Sequence, residues 1–528
     1  MNALGVLLAV SPVLVIFLLL VLRRTAADVA GLIGLAVTVV VAGLYFQTAW
    51  NVIGAAALAG IVASFPISLM VGASIFQMTF MLETGAVRRI VVTMKSVSPA
   101  NRIVQILIIN VGFGTLVTAL GATPVSILPP IMLALGYSSF VAIALPAIGY
   151  DSLCTYALLA IPAVVFTDVL APIARAAGVE LTLQQTGFLF ARYIPFVTTA
   201  IALGMLWIVG RWRMVARGAV PALLTGATAG FVCWAMAAID LVPLTGIVAG
   251  VAIIGLMALL LAVRRDPVYS EMALSDEERG IKAGMSLVRA VSPWVFLLIF
   301  ATLVNVKMLP FFRVFFEELP MAIPIIPGRP SATRFLWQAY TWVLVSTFAA
   351  ALFLRPSRVQ WGTIFSKSLR RAPRPMLAAA VYFAIALVID HSGKDAAWAL
   401  VDPARNMIHL VAGAAAGTFG SAYGLAAPYL GLLAGFISGS ETSAIAMLSR
   451  FHTETAEALG HPLRIGLLLA AASGIGGGLA SVISPAKLQN AAAIIDRIGE
   501  EGKVLRTTVP IAIVISLLTA IATLIWVG

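Results

Sequence analysis

Apolar residues in this chain come in long runs, and most of the charge sits in the short connections between them. A helix of roughly 20 apolar residues spans the hydrocarbon core of a bilayer. Runs of that kind predict complete crossings near 4–22, 27–46, 56–82, 138–170, 192–210, 217–237, 240–263, 290–308, 335–354, 376–390, 463–495 and 508–526. Two further segments, 103–136 and 411–460, break the pattern. Each is apolar on both sides of a turn rich in glycine and hydroxyl residues, Gly121-Ala122-Thr123-Pro124 in one and Gly439-Ser440-Glu441-Thr442-Ser443 in the other. A turn reaching the far side of the membrane gains polar residues, and the first of these carries no charge. Both segments therefore read as re-entrant hairpins whose tips stop near mid-membrane, where protein or a watery cavity satisfies the non-helical backbone.

The surroundings of the two hairpins match. Glu83-Thr84-Gly85 and the amphipathic stretch 86–102 lead into the first; His391-Ser392-Gly393 and the amphipathic stretch 394–410 lead into the second. After the first, Ile161-Pro162 interrupts an apolar run; after the second, Ile483-Ser484-Pro485 does so at nearly the same offset. Matched interruptions in two halves of a membrane chain point to a binding site at the repeat interface. The expected fold class is an all-α integral membrane protein of about 12 transmembrane helices plus two re-entrant hairpins in an inverted-topology repeat. Its parts are N-terminal membrane helices (1–55), a first repeat (56–210), central scaffold helices with cytoplasmic loops (211–375) and a second repeat (376–528).

Composition agrees with this class. Hydrophobic residues make up 61% of 528 and charged residues 11%, and mean hydropathy is +1.04, more apolar material than one soluble core buries. The net charge of +12 does not signal nucleic acid, because the basic residues lie in loops between spans. They cluster after alternate spans: Arg23 and Arg24; Arg88, Arg89, Lys95 and Arg102; Arg211, Arg213 and Arg217; Arg264, Arg265, Arg279, Lys282 and Arg289; and Arg355, Arg358, Lys367, Arg370, Arg371 and Arg374. The positive-inside rule makes these loops cytoplasmic and the N-terminus external. The segment 1–22 reads as a first span and not a cleaved signal, since its basic pair follows the apolar run.

The candidate chemistry lies at the interruptions. Broken helices leave unpaired N–H groups at their starts, a partial positive charge suited to a carboxylate. Gly121, Thr123, Pro124 and Ser126 form the first tip, and Ser440, Thr442 and Ser443 add hydroxyls at the second. Downstream, Asp151, Ser152 and Thr155 precede Pro162, while Lys487, Gln489 and Asn490 follow the flexible run 473–478. Ionisable groups at this depth are expensive, so Asp151, Glu441 and Lys487 are functional candidates.

Plainer explanations stand beside each. Glycines spaced by four, at Gly413, Gly417, Gly431, Gly435 and Gly439, let helices pack closely, and packing is the favoured reading for Gly413 to Gly435. Glu441 and Lys487 could form a buried structural ion pair, Lys487 could snorkel to the cytoplasm, and Asp151 could cap the half-helix leading to Pro162. Cys154 and Cys233 read as packing residues, and His391, His409, His452 and His461 as surface histidines; none has ligand spacing, and no cofactor is implied.

The C-terminal third resembles a known family. The run Gly435-Phe436-Ile437-Ser438-Gly439-Ser440-Glu441-Thr442-Ser443, then Leu467 to Ala472, Gly476-Gly477-Gly478 and Ile483-Ser484-Pro485, is similar to the bacterial L-lactate permease family, some of whose members carry glycolate. The likeness extends more loosely over nearly the whole chain, through Phe113-Gly114, Pro124-Val125 and Ile161-Pro162. It implies a symporter of protons and small 2-hydroxymonocarboxylates in the bacterial cytoplasmic membrane. Two departures stand out. The family's first tip begins with a glutamate, whereas residues 118–124 hold no acid, and its second tip has aspartate where Glu441 stands.

Other classes fare worse. No Gly-x-x-x-x-Gly-Lys-Ser/Thr motif or loop large enough for an ATPase domain is present, which argues against a primary pump. Clustered acids or a histidine-rich metal set, expected of a membrane enzyme on lipid precursors, are missing too. A sodium-coupled or other organic-anion carrier is the principal alternative, followed by an anion channel. A homodimer is compatible with the class by analogy alone.

Overall fold

The computed structural model describes residues 3–23, 25–97, 101–271 and 274–527. Arg24 lies outside the described residues. Those described are almost entirely helical, as long apolar runs without backbone partners in lipid must be. Among the described residues eleven helices are long and apolar enough to cross a membrane, or twelve if Ser292–Asn305 and Pro310–Glu318, bent by 78°, form one span. One two-stranded antiparallel ribbon, Ala322–Ile326 with Arg329–Ala332, was not expected from the apolar pattern. It turns at Pro327-Gly328, where Gly328 takes φ +71°.

Burial divides the helices. Within Leu463–Ile494 an 18-residue window has 94% of its residues buried, whereas in Ala3–Leu20 22% are, which puts that helix at the periphery. Lipid is as apolar as leucine, so close association inside a bilayer rests on small residues that let backbones meet. A methyl built on Gly431 would lie 1.8 Å from the Ser473 carbonyl oxygen, and one on Gly476 1.9 Å from that of Pro428. Gly435 meets Gly477 in the same way, so the packing reading holds for Gly431 and Gly435, while Gly413 faces open space.

The order of elements repeats along the chain. Phe65–Glu83 corresponds to Pro373–Asp390, and the helical stretch 102–119 to Tyr423–Ser438. After each stretch a glycine in the left-handed region, Gly121 (φ +91°) and Gly439 (φ +69°), reverses the backbone where a side chain would be strained. The returning helices are Pro124–Ala134 and Glu441–Ala458, and the next are Ser139–Gly149 and Leu463–Leu479. Each of these last two ends in a break of the α-helix before it resumes: 150–160 holds the short 3-10 turn Cys154–Tyr156 and the left-handed residues 158–160, and 480–484 holds the 3-10 turn Ala480–Ile483. In the first, Leu158, Leu159 and Ala160 all adopt positive φ (55°, 57° and 61°) immediately before Ile161-Pro162.

Several expectations differ in detail. The run 138–170 is two helical pieces and not one span, because Asp151 and the left-handed turn unwind its middle. The amphipathic stretch 86–102 holds the helix Ala86–Lys95, but its counterpart 394–410 becomes regular helix only from Met407, since Asp395 and Asp402 bond nearby backbone N–H groups and fold the chain into turns. The segment 411–460 is longer than a simple hairpin, with Met407–Phe419 preceding Tyr423–Ser438 across Gly420. Spans 192–210 and 217–237 do form an antiparallel pair, turning at Gly210-Arg211, with Gly226 and Gly230 packed on Pro195.

The histidines need correction. His391 and His452 are buried, not on the surface. His391 Nδ1 lies 2.9 Å from Lys394 Nζ, and His452 Nδ1 lies 2.7 Å from the Tyr423 hydroxyl, polar partners that make burial tolerable.

Candidate functional site

The site is built where the breaks of the two halves meet. At the second tip Gly439 turns the chain and Ser440 caps the helix that follows, its Oγ accepting from Ser443 N at 3.4 Å. Glu441 is thereby the first residue of that helix and only 3% exposed. The glycine triad of Leu463–Leu479 makes room for it. A methyl on Gly477 would lie 2.8 Å from Ala444 Cβ, and one on Gly478 would lie 2.8 Å from Glu441 Oε2 and 3.3 Å from Cys154 Cβ.

The unwound stretch of the first half supplies the partners. Thr155 Oγ1 donates to Glu441 Oε1 at 2.5 Å. Asp151, 5% exposed, accepts at Oδ2 from the backbone N–H of Val482 at 3.2 Å, within the unwound stretch of the second half. Asp151 thus ties the two breaks together instead of capping its own half-helix. Glu441 Oε2 and Asp151 Oδ1 have no hydrogen-bond partner among the described residues. A buried carboxylate oxygen left so is a costly arrangement that a ligand, a proton or a cation relieves.

Lys487 stands beside this pair. Its Nζ donates to Ser481 Oγ at 2.5 Å and lies 4.0 Å from the centre of the Tyr150 ring, a cation–π contact. The alternative of a Glu441–Lys487 ion pair is not realised. Further along the same short helix, Asn490 Nδ2 donates to Ser126 Oγ at 3.0 Å, and Ser126 shares a 2.7 Å hydrogen bond with Thr123. Thr123, Gln489 and Asn490 are exposed, so the cluster opens at this end. Gly121, at the same tip, sits against Leu158 of the left-handed turn.

Most of the expected site residues are therefore brought together, but not all. Ser152 points elsewhere: it is fully buried, bonds Thr115 Oγ1 and the Gly149 carbonyl at 3.0 Å each, and its own carbonyl accepts from Thr198, a packing arrangement. Thr442 is buried in the second tip, and Ser443 Oγ finds no partner among the described residues. Pro124 opens the first returning helix and Gln489 stays on the exposed edge. Tyr150, Cys154 and Ser481 join the cluster without having been singled out. Tyr150 and Ser481 flank the helix breaks directly, which was the available signal; Cys154 looked like ordinary apolar packing. No group of three or more His, Cys, Asp or Glu among the described residues could hold a metal ion.

Three helices of ten residues or more begin around this cluster, at Pro124, Glu441 and Pro485. Their free N–H groups, one ammonium and several hydroxyls and amides suit a small organic anion, beside two acids able to exchange a proton.

The family model for L-lactate permease matches residues 5–528. Among relatives, the L-lactate permease of Escherichia coli K12 is 23% identical over 557 aligned positions, covering 98% of this chain and 95% of the relative. The glycolate permease of the same organism is 24% identical, covering 99% and 96%. The L-lactate permease of Bacillus subtilis 168 is 23% identical, covering 98% and 95%.

Proposed function

Because the chain belongs to the L-lactate permease family, we propose that it is a secondary active transporter of small 2-hydroxymonocarboxylates such as L-lactate or glycolate, coupled to protons and working by alternating access. One observation carries the reading: Glu441, at the second tip, is buried with one oxygen bonded to Thr155 of the first half and the other without a partner, beside Lys487. A monocarboxylate fits the helix starts and the ammonium. The exposed amides and hydroxyls of Asn490, Gln489 and Thr123 suit its 2-hydroxyl. Glu441 or Asp151 carries the proton.

In this reading the hairpins are re-entrant and inverted. For the first hairpin the returning helix Pro124–Ala134, of 11 residues, supports it, since at 1.5 Å per residue it covers only about half of the roughly 30 Å core. The chain lies in the cytoplasmic membrane with its N-terminus outside. The block of tips and broken helices moves against a scaffold formed largely by residues 192–354.

The test is uptake into proteoliposomes across a panel of small carboxylates, with proton and sodium gradients imposed separately. Lactate or glycolate uptake driven by the proton gradient, with labelled substrate exchanging through counterflow, is the expected result. Drive by sodium alone would make this a sodium-coupled carrier, and absence of counterflow would make it a channel.

A further inference from the structure

Away from the cluster around Glu441, a cleft of about 990 Å³ opens between Phe65–Glu83, Ala339–Leu354, Arg358–Arg371 and Pro373–Asp390. Its walls are apolar, formed among others by Phe76, Leu344, Phe348 and Phe365. Three hydroxyl-bearing residues interrupt them, of which Thr341 donates to the Phe335 carbonyl at 2.5 Å. Ser368 and Tyr340 line the cleft, each about nineteen-twentieths buried (6% and 5% exposed), and neither Ser368 Oγ nor Tyr340 Oη has a hydrogen-bond partner among the described residues. Plain hydrocarbon would leave such groups unsatisfied.

The helix Arg358–Arg371, which lines the cleft through Phe365, Ser368 and Leu369, and the turns that flank it are strongly basic. Residues 355–374 hold Arg355, Arg358, Lys367, Arg370, Arg371 and Arg374 and no acid. Lys367 pairs with Glu83 and Arg374 with Asp28. Arg355, Arg358, Arg370 and Arg371 are exposed and in no ion pair among the described residues. Arg371 stands one helical turn beyond Ser368. On the same helix Val359 (79%) and Leu369 (72%) are also exposed, the amphipathic character of a segment lying at a membrane surface.

We propose that this cleft is a binding site for an anionic phospholipid, with acyl chains against the apolar walls and the anionic headgroup on the free arginines beside it. Basic pockets between membrane helices take such headgroups. A second copy of the chain is the poorer occupant: a two-fold contact here would bring the unpaired arginines of both copies together. The site is separate from the transport cluster and does not depend on the transport reading.

The test is native mass spectrometry of the purified full chain in detergent, titrated in parallel with phosphatidylglycerol and phosphatidylcholine of identical chains. Wild type is expected to retain phosphatidylglycerol at least about tenfold better. The combined variant R358Q/R370Q/R371Q loses that preference while still retaining lipid, and Leu344→Trp, which fills the cleft, lowers retention of both. An unchanged melting temperature for each variant shows that it is folded. Equal retention of the two lipids by wild type, retention unaffected by Leu344→Trp in a folded sample, or displacement of lipid by a second copy of the chain would each overturn the proposal.

Discussion

Thr155 Oγ1 and Glu441 Oε1 lie 2.5 Å apart although 286 residues separate them in the chain. The bond joins the unwound stretch of the first half to the tip of the second. It puts a neutral donor on one oxygen of the acid and leaves the other open. A hydrogen bond to a charged group contributes about 1.5–3 kcal/mol. Thr155→Val is accordingly expected to lower kcat/KM for uptake by about 10- to 100-fold, and Thr155→Ser to restore most of it. Uptake by the valine variant at the wild-type rate would mean that the bond has no part in transport.

Glu441→Gln keeps size and hydrogen-bonding shape but cannot carry a proton. Uptake driven by an imposed proton gradient should fall at least about tenfold, while exchange of labelled for unlabelled substrate persists. Loss of both activities together would point to substrate binding, not coupling, as the role of this acid. Full gradient-driven uptake would remove Glu441 from the mechanism.

Lys487 is expected to act on binding. Replacing it with glutamine removes the ammonium that rests on Tyr150 and Ser481. A charge-assisted contact to a carboxylate of about 1.5 kcal/mol or more predicts a rise in the KM for lactate of about tenfold with a smaller change in maximal rate. The measurement is initial-rate uptake over a concentration series, and the opposite pattern, a lower maximal rate at unchanged KM, would refute this role.

Glycine substitutions separate packing from open space. Gly431→Ala and Gly476→Ala push a methyl into the carbonyls of Ser473 and Pro428, whereas Gly413→Ala meets nothing within 4 Å. Overpacking of this kind costs about 1–3 kcal/mol. The first two variants should melt at clearly lower temperature or fail to accumulate, and Gly413→Ala should match wild type. Equal melting temperatures across all three would contradict the close approach of Tyr423–Ser438 and Leu463–Leu479.

The breaks that bring the candidate site residues together were legible because membrane helices are punctuated in few ways. Gly121, Gly439, Pro162 and Pro485 mark places where apolar helix cannot continue, and the chemistry lies close to each of them. Acids and a lysine inside apolar runs are conspicuous for the same energetic reason. Where side chains point was not legible. Ser152 and Thr155 are three residues apart in one unwound stretch, yet one turns to Thr115 and the other to Glu441, because a break in a helix has no fixed periodicity from which to read a face. The burial of His391 and His452 is not legible either, since a polar residue near a helix end reads as exposed until its neighbours are known.

The sequence by itself determined the membrane class, many of the long apolar helices and the two interrupted segments, because hydrophobic length and backbone hydrogen bonding are local demands that each stretch must meet alone. Only the tertiary structure decided that Asp151 bonds Val482, that Thr155 and not Lys487 partners Glu441, and that Asn490 reaches Ser126. Those pairings connect residues hundreds of positions apart, and they depend on how closely helices approach where glycines let their backbones meet.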